Sequence, residues 1–168
     1  MTIIMEEEKN LPFWRDILGH GEEIGRLRKA AAARLLPHAL IFTGPEGVGK
    51  RKVAFALAAT ILCSEEDAPC GKCPSCKALA AMSHPDYYEL EPEIRGKSTR
   101  LIRIDEVRVL RLEAVRRPTL SKSRVMLIDG VNCMNEQAQN SFLKILEEPP
   151  EFTRFLLITS RPAALLDG

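Results

Sequence analysis

Short runs rich in apolar residues recur along the chain, and segments with helical periodicity separate them. The four runs are residues 39–43, 86–91, 124–129 and 155–160. The first, third and fourth are apolar almost throughout, which is typical of strands buried on both faces. Such strands, alternating with helices, predict an α/β fold in which helices cover both faces of a parallel sheet.

Apolar residues three and four positions apart mark helices between the runs. The predicted helices cover residues 22–35, 48–62, 105–116 and 135–147. In the first of them Ile24, Leu27 and Leu35 share one face and are expected to point inward. Two consecutive prolines stop the last helix. Residues 1–12 are expected to form a loosely packed lead-in, and the polar, basic residues 92–103 an exposed loop.

Composition limits the function classes. The chain has 168 residues, 45% of them hydrophobic and 28% charged, with a formal net charge of +1. This suits one soluble domain that no overall charge draws to nucleic acid or membrane. No run of 18 apolar residues occurs, and the first residues lack the features of a signal peptide. A cytoplasmic setting follows, in which five cysteines favour a metal over disulfides.

A glycine-rich loop follows the first run. Residues 44–51 read GPEGVGKR, which fits the phosphate-loop pattern G-x-x-x-x-G-K but lacks its final Ser or Thr. Backbone N–H groups of a loop built on Gly44, Gly47 and Gly49 would face phosphate oxygens, and Lys50 would reach the outer phosphates. Arg51 replaces the hydroxyl that normally binds Mg²⁺ and cannot be a metal ligand. Binding of ATP and Mg²⁺ stays open, and the alternative is a glycine turn without a ligand.

The third run ends in a carboxylate. In phosphate-loop ATPases an acid at this place helps to hold Mg²⁺, so Asp129 completes a candidate nucleotide site. ATPases of the AAA+ type usually carry Glu next, which activates the attacking water, and this chain has Gly130. Asn132 is close in sequence but is not a base at neutral pH. The site has thus lost both the hydroxyl, replaced by Arg51, and the glutamate, replaced by Gly130, which argues against hydrolysis of ATP. The alternative role for Asp129 is to cap a turn.

Four cysteines lie within 14 residues. Cys63, Cys70, Cys73 and Cys76 have the spacing C-x6-C-x2-C-x2-C. Four thiolates so close together suit a closed structural Zn²⁺ site, and residues 63–80 are expected to form an inserted zinc-binding module. An iron–sulfur cluster and free thiols are the alternatives. Cys133 lies far along the chain and is predicted to be a small buried residue, not a ligand.

Several segments together carry a family resemblance. They are residues 17–20 (ILGH), 38–50 (HALIFTGPEGVGK), 140–150 (NSFLKILEEPP) and 157–162 (LITSRP), with the cysteine spacing placed after the loop's helix. Over nearly its whole length the chain resembles the ATPase-type subunits of bacterial DNA polymerase III clamp loaders. The resemblance implies the N-terminal, RecA-like domain of an AAA+ protein over residues 1–168, with the lid and collar domains absent from this chain.

The family has members of two kinds. The gamma/tau type hydrolyses ATP and keeps the Ser or Thr and the Glu, whereas the delta prime type is rigid and usually has a damaged site. Arg51 and Gly130 place the chain with the second kind. The resemblance implies gamma/tau, delta, the sliding clamp and primer–template DNA as partners, and no membrane. It also implies a Ser-Arg-Cys motif soon after Gly168, whose arginine is the finger that reaches the ATP of the neighbouring subunit. Arg161 belongs to a different segment and is not that arginine.

Weaker signals concern DNA and the last run. Arg100, Arg103 and Arg108 belong to a basic stretch that could hold DNA phosphates without reading sequence, and the alternative is a solvated charged surface. Thr159 is the counterpart of the polar residue with which the family senses the γ-phosphate of ATP. The alternative is that it is a β-branched residue at the end of a strand. The remaining function classes are a non-hydrolysing clamp-loader subunit, an active gamma/tau-type ATPase and, ranked last, a zinc-dependent DNA-binding module.

Overall fold

The computed structural model describes residues 13–14, 17, 21–45, 49–95 and 99–160. The helices are α1 (Gly21–Ala32), α2 (Lys50–Leu62), α3 (Pro74–Ala80), α4 (Ile104–Ala114) and α5 (Glu136–Glu147). The strands are β1 (Ala39–Thr43), β2 (Tyr87–Leu90), β3 (Glu93–Arg95), β4 (Thr99–Leu101), β5 (Arg124–Asp129) and β6 (Thr153–Thr159). No helix within these segments is long and apolar enough to span a membrane.

The main sheet is parallel, as the sequence predicts, and the structure gives its strand order as β1-β6-β5-β2. Tyr87 of β2 lies opposite Val125 of β5. Consecutive side chains of β5 enter two different cores, because side chains alternate between the faces of a strand. Val125 and Leu127 join one cluster, and Met126 and Ile128 join the other. This double burial explains why the central strands are apolar throughout.

Helices cover both faces of the sheet, as predicted. On one face α4 and α5 bury Leu110 and Phe142, and Phe142 meets Phe155 of β6 edge-on at a centroid distance of 6.0 Å. On the other face α2 buries Leu57, with α1 and α3 packed against it. The N-cap of α5 is Asn135, whose side-chain oxygen accepts the N–H of Ala138, so that helix begins where a capping residue permits.

Two predictions about exposure in the N-terminal half are wrong. Strand β1 is not buried on both sides: it is one of the two edge strands of the described main sheet, and Ile41 is 46% exposed. Leu35 does not point inward and is 75% exposed. The cause is that α1 ends at Ala32, so Leu35 has left the helical face on which the periodicity placed it.

The sequence predicts an exposed loop at residues 92–103, and this prediction is wrong. These residues contain the antiparallel hairpin of β3 and β4, in which Ile94 lies opposite Arg100. The hairpin is anchored because Ile102 is fully buried and its N–H donates to the carbonyl of Cys133 at 2.9 Å. Backbone pairing and one apolar anchor thus order a segment whose polar composition favoured a loop.

A buried carboxylate organises the start of β2. The side chain of Asp86 is fully buried and accepts N–H groups from Thr119, Leu120 and Ser121 at 2.7, 2.8 and 2.6 Å. Arg124, 2% exposed, lies 3.7 Å away and donates to the carbonyls of residues 85 and 116. Burial alone would raise the pKa of Asp86, but the three N–H donors lower it on balance.

We expect Asp86→Asn to lower the free energy of unfolding by about 3 kcal/mol, because an amide group would face N–H donors and Arg124 would lose its counter-charge. The melting temperature should fall by roughly 10 °C. The pKa of Asp86 is lowered in the folded chain. The contribution of its ionised carboxylate to the free energy of unfolding is therefore present above about pH 3.9, the value in an unfolded chain, and is lost as the pH falls below it. Thermal unfolding at several pH values measures both effects.

Asp105→Asn is the matched control, because this side chain is 85% exposed and pairs with Arg108 at the surface. This substitution should lower the free energy of unfolding by less than about 1 kcal/mol. Equal losses in the two variants would contradict the organising role of Asp86.

Candidate nucleotide and metal sites

The glycine-rich loop, residues 44–50, joins β1 to α2. Gly49 caps the helix with a positive φ of 83°, a conformation that favours glycine. The ammonium of Lys50 donates to the carbonyl oxygen of Gly44 and so bends back over the loop. Gly47 lies outside the described residues. Strand β1 precedes the loop and helix α2 follows it, but residues 46–48 lie outside the described residues, and the phosphate-loop assignment stays a prediction.

Arg51, in the first turn of α2, is bound to three carboxylates. Its guanidinium donates to Asp129 at 3.0 Å, to Glu91 at 3.1 Å and to Glu89 at 2.7 Å. Partial burial opposes the charge of Arg51, but the hydrogen bond to Asp129 and the charges of the glutamates outweigh it and raise the pKa of Arg51. The structure therefore brings together Arg51 and Asp129, two residues 78 positions apart in the chain.

These contacts bear on whether Mg²⁺ could be held at this place. Asp129 is the carboxylate that the sequence assigned to the metal, and a guanidinium already occupies its Oδ2 atom. A guanidinium has five N–H donors and no acceptor, so it cannot take part in a metal's ligand shell. The residues present do not fit a Mg²⁺ ion. Glu89 and Glu91, which sequence reasoning missed, reach Arg51 from β2 and from the residue just after that strand.

Gly130 follows β5, and the backbone explains why a glycine is there. Its φ is 81°, and a Cβ atom built on it would lie 3.2 Å from both Cγ and Cδ of Pro92. A larger residue would have to adopt a strained backbone and displace the proline. Nearby, the hydroxyl of Thr159 donates to the Oδ1 atom of Asn132 at 3.0 Å, so the predicted sensor residue is engaged within the protein.

The four cysteines of the predicted metal site come together. Their sulfur atoms all lie within 4.8 Å of one another, with 3.9 Å between Cys63 and Cys73 and 4.0 Å between Cys70 and Cys76. A tetrahedral Zn²⁺ with bonds of about 2.3 Å places its sulfur ligands about 3.8 Å apart. The donor set and its dimensions fit a metal ion. Cys133 is not part of this group and is half-buried.

Backbone N–H groups surround the sulfur atoms. The N–H groups of Cys70, Cys73 and Cys76 donate to the sulfurs of Cys63, Cys70 and Cys73, in that order, at 3.2 to 3.4 Å. Burial raises the pKa of the Cys63 and Cys76 thiols. At Cys73 burial also opposes the charge, but N–H donors and neighbouring thiols outweigh it and lower the pKa to about 6. Cys73 is therefore the member of the cluster whose thiolate, the form that binds metal, the surroundings stabilise most.

The cysteine cluster is fastened to the sheet by a buried polar network that the sequence did not reveal. Nδ1 of His84 accepts the N–H of Asp86 at 3.0 Å, so its proton is on Nε2, which lies 2.8 Å from the hydroxyl oxygen of Ser75. The hydroxyls of Ser75 and Ser121 both donate to the carbonyl of Leu62 at 2.7 Å. Leu62 and Ser75 directly neighbour metal-site cysteines in the chain.

The three arginines proposed for DNA contact are exposed. Arg100 lies on β4 and Arg103 is the N-cap residue of α4. Arg108, in α4, pairs with Asp105 at 3.2 Å. Their role on DNA stays a prediction.

The fold and the two sites define a parallel α/β domain with a glycine-rich loop before a helix and a four-cysteine cluster. A family model described as DNA polymerase III, delta subunit, matches residues 19–168. The chain belongs to this family of DNA polymerase III clamp-loader subunits.

Individual relatives agree with the family match. The chain is 44% identical over 131 residues to DNA polymerase III subunit delta' of Pseudomonas aeruginosa, covering 77% of this chain and 39% of that protein. It is 33% identical over 152 residues to subunit tau/gamma of Haemophilus influenzae, covering 89% of this chain and 21% of that protein. The chain thus spans well under half the length of these relatives.

A solved structure is also similar. The gamma subunit-related protein of Thermotoga maritima gives a TM-score of 0.64 at 26% identity, over 86% of this chain and 41% of that one.

We expect the stability of the chain to be independent of Mg²⁺, because Arg51 already donates to the three carboxylates that a cation would bind. Arg51→Ala leaves three carboxylates facing one another and should lower the free energy of unfolding by about 1 kcal/mol, a modest loss because the group is 40% exposed. Excess Mg²⁺ should restore part of this loss. Thermal unfolding with EDTA or Mg²⁺ measures both effects.

Arg51→Lys keeps the positive charge, so Mg²⁺ should change the melting temperature of this variant little more than that of the unmodified chain. Arg108→Ala removes an arginine from a surface pair elsewhere and controls for the general effect of losing a cation. Stabilisation of the unmodified chain by Mg²⁺ alone would contradict the prediction.

Proposed function

We propose that this chain is the N-terminal, AAA+ type domain of a non-hydrolysing clamp-loader subunit of the delta prime type. Its parent protein helps to load the sliding clamp onto primed DNA during replication, in the cytoplasm, as a stator-like member of the complex. The observation that carries the proposal is the binding of Arg51 to Asp129, Glu89 and Glu91, at the place where an active site would hold Mg²⁺.

The chemistry of hydrolysis explains why this observation matters. Phosphoryl transfer to water needs a metal ion on the outer phosphates and a group that orients the attacking water. Arg51 supplies a fixed positive charge in place of a metal ligand, and Gly130 has no side chain with which to orient water. Lys50 and the loop amides retain the means to contact a phosphate, so the proposal concerns turnover rather than nucleotide binding.

The partners follow from the family. DNA polymerase III relatives of both the delta' and the tau/gamma kinds support a complex with related subunits. We propose gamma/tau and delta as direct partners, with the sliding clamp and primer–template DNA engaged through the assembled complex. Within the domain, Arg100, Arg103 and Arg108 are the proposed DNA contacts. The lid, the collar and the Ser-Arg-Cys arginine finger are proposed to belong to further parts of the parent protein.

We propose that the four-cysteine cluster holds one structural Zn²⁺. Four thiolates make a closed tetrahedral site and leave no open position for catalysis, so the ion would order residues 63–80. Through Leu62 and Ser75 the ordered segment would then support the polar network at the start of β2.

An active gamma/tau-type ATPase is the second candidate. Relatives of that kind match more of the chain, 89% against 77%, although at lower identity. The contacts of Arg51 favour the first candidate, because an active enzyme would need this side chain to leave three carboxylates before Mg²⁺ could enter.

We expect no ATP turnover above background. Loss of one positioned catalytic group commonly costs on the order of 100- to 10,000-fold in rate, and two are missing. A phosphate-release assay with saturating Mg-ATP and no gamma/tau tests this, with Lys50→Ala as the control for contaminating activity. Turnover that disappears in Lys50→Ala would overturn the proposal and favour the ATPase candidate. The double change Arg51→Thr with Gly130→Glu should restore slight activity at most, since Pro92 crowds position 130.

We expect one zinc ion per chain in protein purified without added metal, measured by elemental analysis. Cys76→Ser should lose the metal and expose residues 63–80 to protease, because few apolar residues order that segment otherwise. Cys133→Ser is the matched control and should keep both the zinc and the protease resistance. A metal-free chain of unchanged stability with four reactive thiols would contradict the prediction, and iron with visible absorbance would indicate a cluster.

A further inference from the structure

The four metal-site cysteines are not equally easy to bring together. Cys70, Cys73 and Cys76 belong to one short segment, with two residues between successive cysteines. Cys63 lies apart from that segment and follows α2 as its C-cap residue, where the backbone leaves the helix in an extended conformation. A tetrahedral site needs the fourth thiolate held against the other three, so the end of α2 must be fixed relative to the start of α3.

One hydrogen bond makes this connection directly. The hydroxyl of Ser75, in the first turn of α3, donates to the carbonyl oxygen of Leu62, the last residue of α2, at 2.7 Å. Leu62 immediately precedes Cys63 in the chain, and Ser75 immediately precedes Cys76. The peptide group that leads into Cys63 is therefore tied to the turn that carries Cys76. Leu62 and Ser75 are 1% and 3% exposed, so water does not compete for this bond.

Two further residues hold the Leu62 carbonyl, which has no partner within its own helix because it lies at the helix end. Ser121 is a second donor to this carbonyl, also at 2.7 Å, and Nε2 of His84 lies 2.8 Å from the Ser75 oxygen. Each hydroxyl gives its one proton to Leu62, so the hydroxyl oxygens are left to accept the Nε2 proton of His84. Nδ1 of His84 accepts the N–H of Asp86. Every donor in this network therefore has an acceptor, which favours a single arrangement.

The remaining polar contacts of Cys63 hold it less firmly. Its sulfur accepts the N–H groups of Glu65 and Cys70 at 3.5 and 3.4 Å. Both donors belong to the segment between Cys63 and the other cysteines, of which residues 64–67 are exposed. The hydroxyl of Ser75, in contrast, links the two helices through buried groups.

We propose that Ser75, supported by Ser121 and His84, is the positioning residue that holds Cys63 against the other three cysteines and so determines how firmly the cluster retains its metal ion. This role rests on the proposed zinc site but concerns side chains that are not themselves ligands. Groups that orient metal ligands from outside the coordination shell commonly change metal affinity by about 10- to 100-fold. Without the bond from Ser75, Cys63 is the ligand that should leave first.

The test compares metal retention in the zinc-loaded chain and in Ser75→Ala. Zinc is transferred to an excess of the chromophoric chelator pyridylazoresorcinol, and absorbance gives the rate of release. We expect Ser75→Ala to release zinc at least about tenfold faster. Alkylation with iodoacetamide during release, followed by peptide mass spectrometry, should find Cys63 modified before Cys70, Cys73 and Cys76.

Thr153→Val is the matched control. The hydroxyl of Thr153 donates to the carbonyl of Ala114, the last residue of α4, at 2.7 Å. This variant therefore loses a bond of the same kind and length, on the face of the sheet opposite to α2 and α3. It should lower the melting temperature about as much as Ser75→Ala does but leave zinc release and alkylation unchanged. Equal acceleration of release in both variants would show general destabilisation and overturn the proposal.

Ser121 offers a second variant in case Ser75→Ala does not fold, because this side chain is only half-buried and is one of two donors to Leu62. Ser121→Ala should also accelerate release, and Ser121→Thr, which keeps the hydroxyl, should restore the original rate. The positioning role is overturned, and the zinc proposal stands, if all variants release bound zinc at one rate or if alkylation shows no preference for Cys63. An unmodified chain that holds no zinc overturns both.

Discussion

Three backbone amides in succession point at one buried carboxylate, that of Asp86, and much of the structure depends on this arrangement. The amides belong to the segment between α4 and β5, so the carboxylate fixes where β5 begins relative to β2. Arg124, the first residue of β5, is buried with it and supplies the compensating charge. A buried charge is stable only when it is so fully partnered. The edge strand β2 and its inner neighbour β5 are therefore held in a single register.

The same residue connects the sheet to the four-cysteine cluster through its backbone N–H. The N–H of Asp86 donates to His84, and His84 reaches the hydroxyls that hold the carbonyl of Leu62. The cysteine segment is thus hydrogen-bonded to the interior of the fold, although residues 64–67 within it are exposed. A metal ion bound at the four cysteines would stabilise contacts that also support the sheet.

Much of the fold follows from local pattern, and the rest from partners distant in sequence. Residues 124–129 are apolar on both faces, and their burial in a central strand was predictable. So was the cysteine cluster, because its four ligands lie close together in the chain. The bonds of Arg51 to Glu89 and Glu91 join residues about 40 positions apart, and no periodicity marks them. Leu35 and Ile41 were misplaced because periodicity cannot tell where a helix ends or which strand lies at an edge.

The backbone at Gly130 couples two positions that are distant in the chain. A residue with a side chain at position 130 would hold a backbone with positive φ, and its Cβ atom would lie 3.2 Å from Pro92, so that the proline would have to give way by a few tenths of an ångström. The tolerance of position 130 to substitution therefore depends on the residue at position 92, which lies much earlier in the chain. Substitutions at the two positions should not be additive in their effect on the free energy of unfolding.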